Sequence, residues 1–82
     1  MDLKDELVAE IEKWTAKIRD ERSHVSAPTN KGKGFLKNVD AYIADSRYFV
    51  EKQDHVRGFE ALIWAWAYLT IGVDEGWLIK SE

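Results

Sequence analysis

Cysteine is absent from the 82 residues, which excludes a disulfide framework, a thiolate zinc site and a cysteine nucleophile, and with them small secreted scaffolds and zinc fingers. A reducing, cytoplasmic compartment is the expectation. Long apolar runs are also missing. The longest uncharged stretch is Ala61 to Val73, whereas a bilayer span needs about twenty apolar residues, so no membrane segment is expected. The opening Met1-Asp2-Leu3-Lys4-Asp5-Glu6 is too acidic for a signal or transit peptide. Positive charge is in short supply, 12 Lys and Arg against 15 Asp and Glu for a net charge of −3. Residues 13–37 are the only basic third of the chain, and part of that excess is explained by bases complementing a helix C-terminus. Nucleic acid is therefore disfavoured as the main partner, because phosphate affinity comes largely from clustered bases releasing counterions.

With 45% hydrophobic and 33% charged residues, the balance is that of a small globular domain. A chain of this length buries only about 60 to 65% of its unfolded surface, so its four Trp, three Tyr and three Phe must supply most of a thin core. Leu3, Leu7, Ile11, Trp14 and Ile18 recur every three or four residues, which predicts an amphipathic helix over 2–22. Pro28 and two of the five glycines fall within 23–34, and this aperiodic stretch reads as a long loop. A second helix is expected over 35–52, facing inward with Phe35, Leu36, Val39, Tyr42, Ile43, Phe49 and Val50. Asp54 is a suitable N-cap for a third helix over 55–75, and the short turn between the two makes an antiparallel hairpin. Phe59, Leu62, Ile63, Trp66, Leu69 and Val73 form its expected inward face, Gly76 its cap, and Trp77-Leu78-Ile79 a tail folding back on the core. No strand pattern with a partner is visible. The prediction is one all-α domain over 1–82, three antiparallel helices with a long first connection.

The run from Val39 to Trp66 contains Tyr42, Asp45, Tyr48, Phe49, Glu51, Lys52, Asp54, Phe59, Glu60, Ala61 and Ala65 in the order of an archaeal family, domain-of-unknown-function family 357, which it resembles. Gln53 stands where that family usually has a turn glycine, and Gly58 where it has alanine. The resemblance implies a small helical protein of archaeal type and brings no activity with it. A looser similarity is to the nucleotide-binding helical domains called HEPN.

Function must then come from the side chains. At 100° per residue, Trp64, Tyr68 and Ile71 lie nearly opposite the inward face of the third helix, together with Ala61. A helix apolar on two sides must be covered on two sides, so Ala61, Trp64, Tyr68, Ile71 and Tyr48 are the candidate interface of a homodimer or of a helical protein partner. Trp64, Tyr68 and Ile71 from each of two copies, at about 2 kcal/mol per side chain, stand against an association cost of roughly 4 to 15 kcal/mol, so a dimer through this patch alone is expected to be weak. The alternative is an RNA-associated, metal-independent ribonuclease of HEPN type. Arg19 and His24 match the spacing of that signature, with arginine to hold a phosphate and histidine to move a proton. Lys31 and Lys33, among glycines, are candidate anion contacts at the start of the second helix, although the spacing is not that of a P-loop. Asp45, Glu51, Asp54 and Glu60 with Arg47, Lys52 and Arg57 read as a solvated charge network. His55 has no second histidine at ligand spacing, so neither a metal nor a cofactor is expected. A non-catalytic interaction or assembly module is the function these features favour.

Overall fold

Asp2 opens the first helix, its carboxylate accepting the Asp5 amide at 2.9 Å beside Asp5 and Glu6 in the positive first turn. The computed structural model describes residues 2–81. In it α1 spans Leu3–Ser23, β1 Val25–Ser26, α2 Asn30–Glu51, α3 His55–Asp74 and β2 Ile79–Lys80. Among the described residues no helix is long and apolar enough to cross a membrane.

The three helices form as the spacing predicts, with one displaced boundary. α2 begins at Asn30, five residues before the expected Phe35, so the long loop shrinks and Lys31 and Lys33 lie in a helical first turn. Thr29 is the reason, since its hydroxyl accepts the Gly32 amide at 3.1 Å and satisfies a donor that the helix start would leave open. The other correction is a short antiparallel pair of strands, Val25 opposite Lys80 and Ser26 opposite Ile79. Two residues per strand are too few to show alternation in a sequence. Ser81 extends the contact, donating its amide (2.7 Å) and hydroxyl (3.0 Å) to the His24 carbonyl.

α2 turns into α3 through Gln53 at φ +64°, the left-handed position that the comparison with a turn glycine implied. Its amide donates to the Val50 carbonyl at 3.0 Å and that of Asp54 to the Phe49 carbonyl at 2.8 Å, the paired bonds that close a helix end. Asp54 then caps α3 by accepting the Arg57 amide at 3.1 Å. At the far end Gly76 takes φ +78° and sends the tail back over the core, where Leu78 is 1% exposed.

α3 is the central rod. Gly58, Ala61, Ala65 and Gly72 are all buried and form a stripe of small residues that lets α2 and, at Gly72, the tail residue Leu78 approach closely. A Cβ on Gly58 would stand 2.8 Å from Val50 Cγ2, and buried Ser46 donates to the Gly58 carbonyl at 2.8 Å. On its adjacent flank α3 packs α1, with Ile11 and Ile18 meeting Leu62 and Ala65. Trp14 and Trp66 meet edge to face there, 5.5 Å apart, under the Lys17 ammonium. A second cluster of Val25, Val39, Leu69 and Leu78 seals the tail end. Burial of Ile18, Leu62, Leu78 and Val39, the largest fully buried side chains, contributes roughly 2 kcal/mol each. α1 is tied to α2 by the two-pronged ion pair of Arg22 with Asp40, at 2.7 and 3.0 Å.

Candidate interaction surface

With α2 on one flank of α3 and α1 on the next, the third flank has no cover among the described residues. Glu60, Ile63, Ala67, Ile71 and Asp74 follow one another at helical spacing along it, with Trp64 beside them. Ile63 is 43% exposed, Trp64 52% and Ile71 48%, and Ala67 is half-buried. Ile63 is here by correction, because the expected inward face included it. α1 in fact sits against Phe59, Leu62 and Trp66, which leaves Ile63 on the outer side of the contact.

Beside this flank the α2–α3 seam carries a row of aromatic rings. Trp64 stacks on Tyr42 at 6.3 Å and Tyr42 on Tyr68 at 5.4 Å. Tyr68 meets the edge of Phe35 at 5.1 Å, and Phe35 leans on Trp77 at 4.8 Å. The Lys31 ammonium ends the row, 4.1 Å above the Trp77 ring. Partial burial, then the charge and hydroxyl of Tyr68, then Asp45 raise the Tyr42 phenol above its ordinary range. The row gives Trp64 an aromatic neighbour in Tyr42 and leaves about half of its side chain exposed.

Of the five interface residues expected from the sequence, Trp64 and Ile71 stand open, and Tyr68 is half-buried within the aromatic row. Ala61 does not belong with them. It is 6% exposed, because a methyl side chain admits α2 where a larger one would hold it off. Tyr48 is exposed at 57% but lies about 200° around α2 from Ser46, which touches α3, so the structure does not bring it to Trp64. Lys52 covers its ring at 5.6 Å instead.

The remaining candidates have structural partners. Arg19 and His24 are five residues apart, about 140° around α1, and His24 Nδ1 lies 2.8 Å from the Asp20 carbonyl, where it closes the helix end. Lys31 is engaged with Trp77, while Lys33 is exposed on the first turn of α2. The charge network at the hairpin turn resolves into Arg57 with Asp54 at 2.7 Å and Arg47 with Glu51 at 3.5 Å. The Arg57 hydrogen bonds hold the Asp54 carboxyl below its usual range. Among the described residues no group of three His, Asp or Glu is placed to hold a metal ion.

Comparison with known proteins identifies a family and a solved structure. A family model described as protein of unknown function (DUF357) matches residues 7–78. No curated protein matches. The crystal structure of protein AF1782 from Archaeoglobus fulgidus, itself carrying the DUF357 model, is 42% identical, with a TM-score of 0.88 over 98% of this chain and 100% of that one. These findings do not support the similarity to HEPN domains.

Proposed function

The chain belongs to the family of proteins of unknown function DUF357, which transfers no activity to it, and from that premise we propose a non-catalytic interaction module that docks a helix on the open flank of α3. The supporting observation is that Ile63, Trp64 and Ile71 lie together and about half exposed on the rod that otherwise forms the centre of the core. A contiguous apolar strip on a small protein marks a place where water is displaced by a partner. A helix is the occupant that matches its form, because α3 already receives α1 and α2 on its other flanks and a further rod would complete the packing. The sequence suggested two sources for that rod, a second copy of the chain or a helix of another protein. A cytoplasmic setting belongs to the same proposal and rests on the lack of cysteine.

The test is a photoreactive amino acid placed at Ala67 in the cells that make the protein, with the same residue at exposed Lys37 on α2 as control. One discrete adduct from position 67 and none from position 37 is the expected result, and mass spectrometry of the adduct distinguishes the two sources. Adducts from both positions alike, or from neither, would remove the interface.

A further inference from the structure

The charges along the strip separate those two sources. Glu60 and Asp74 lie on the same stripe as Ile63, Ala67 and Ile71, one before and one after, and Asp45 lies next to Tyr42 on the α2 side, one turn along. Among the described residues none of the three forms an ion pair, whereas the nearby bases are engaged. Arg57 holds Asp54 at 2.7 Å, and Lys80 holds Glu21 at 2.7 Å. Lys17 rests on Trp14 and Trp66 at 5.1 and 5.0 Å. The strip is apolar along its middle and acidic at its two ends and on its α2 side, with Lys17 on the α1 side and with Arg57, whose charge also reaches Glu60, one turn before it.

A second copy fits this pattern poorly. In a two-fold pairing of α3 on α3 with antiparallel helices centred on Ala67, Ile63 meets Ile71 and Glu60 meets Asp74, and both contacts are repeated by symmetry. A parallel pairing places Glu60 on Glu60 and Asp74 on Asp74. In either arrangement the apolar match requires like charges to face each other, which disfavours association. Anionic lipid headgroups and nucleic-acid phosphates meet the same carboxylates.

Building on the proposed docking role, we infer that the occupant is a cationic amphipathic helix of a different protein. The stripe from Glu60 to Asp74 is about 21 Å long at 1.5 Å per residue. It therefore receives about four turns, with apolar anchors at i, i+3 or i+4, i+7 and i+11 and Lys or Arg at the two ends of the anchor row and on its α2 side. The half-exposed Trp64 side chain, with Tyr42 as its neighbour, is the central contact, since large aromatics in such positions dominate helix-in-groove binding.

Two synthetic helical peptides of about 18 residues, roughly five turns, test this. They share one leucine anchor row, and one carries lysines at the two ends of that row and along one side where the other carries glutamates. Calorimetric titration against the full chain should show the lysine peptide binding at least tenfold more tightly than the glutamate peptide at low salt. The difference should shrink between about 0.05 M and about 0.5 M salt as exposed charges are screened. The double variant E60K/D74K should reverse the preference. Equal binding of both peptides, lost on Trp64→Ala, would overturn the charge assignment and leave the docking role standing. Binding of neither peptide by a chain that sediments as a monomer would overturn both. A reversible dimer that is broken by Trp64→Ala and not displaced by the lysine peptide would overturn the choice of partner and identify the occupant as a second copy.

Discussion

Two glycines two residues apart have opposite roles. A Cβ on Gly32 would stand 2.2 Å from the Trp77 carbonyl oxygen, which is backbone and has no rotamer to change, whereas one on Gly34 meets nothing within 4 Å. Gly34→Ala should therefore stabilise the protein by about 0.5 to 1 kcal/mol, through helix propensity and a less flexible unfolded chain. Gly32→Ala should cost about 1 to 3 kcal/mol by forcing the tail off α2. Urea unfolding of the two variants reads the opposite signs directly. A second contrast separates packing from docking. Leu62, 1% exposed, should cost about 2 to 5 kcal/mol when cut to alanine. Trp64→Ala, at 52% exposure, should lower the thermal midpoint much less while removing whatever binding the α3 strip provides. Equal losses of stability would mean that Trp64 is a core residue and would weaken the interface reading.

Among the elements, the helix hairpin was the part most legible in the sequence, because Asp54 as N-cap and the unbroken spacing of Phe59, Leu62, Trp66 and Leu69 all point to one arrangement. Its turn gives a further test. Gln53 holds φ +64°, which costs a residue with a side chain roughly 1 kcal/mol or more and glycine little. Gln53→Gly should then stabilise by up to about 1 kcal/mol in chemical denaturation, and a loss would mean that its side chain has a contact of its own. The start of α2 was misread because Pro28, Gly32 and Gly34 resemble loop punctuation. The contrary signal was Thr29, a capping residue placed for the Gly32 amide. Ala61 and Ile63 were misplaced for a related reason. Periodicity gives the angle of a side chain around its helix, not which neighbour comes close at that angle. The spacing of Gly58, Ala61, Ala65 and Gly72 held that information, since a row of small residues is where another helix can approach. Tyr48 could not be joined to or separated from Trp64 without knowing how α2 is turned against α3.

For the whole molecule, 43 × 22 × 16 Å, the tail is what joins the first connection to the last helix. Leu78 fills the space beside Gly72, and Lys80 reaches Glu21 on α1. The hydrogen bond from Lys80 lowers the Glu21 carboxyl below its ordinary value of 4.5 against the opposing effect of desolvation, and the positive charge of Lys80 acts in the same direction as the bond. A lowered native pKa means that the unfolded chain binds the proton more readily. The contribution of Glu21 is thus complete above its ordinary value and is lost as pH falls through the lower native one. Stability should accordingly decline on acidification from about 4.5 downward, and Lys80→Gln should flatten that decline, as read by urea midpoints at successive pH values. An unchanged acid limb would show that the pair is loose in solution.

The contact between the indoles of Trp14 and Trp66, 5.5 Å apart at 64°, has an optical consequence. Chromophores so near and so inclined share their excited states, and the shared transition adds a signed couplet to the circular dichroism that no peptide bond produces. That couplet depends on α1 lying against α3 and is indifferent to the hairpin. Following it alongside the peptide band during melting would therefore time the detachment of the first helix separately from the loss of the other two.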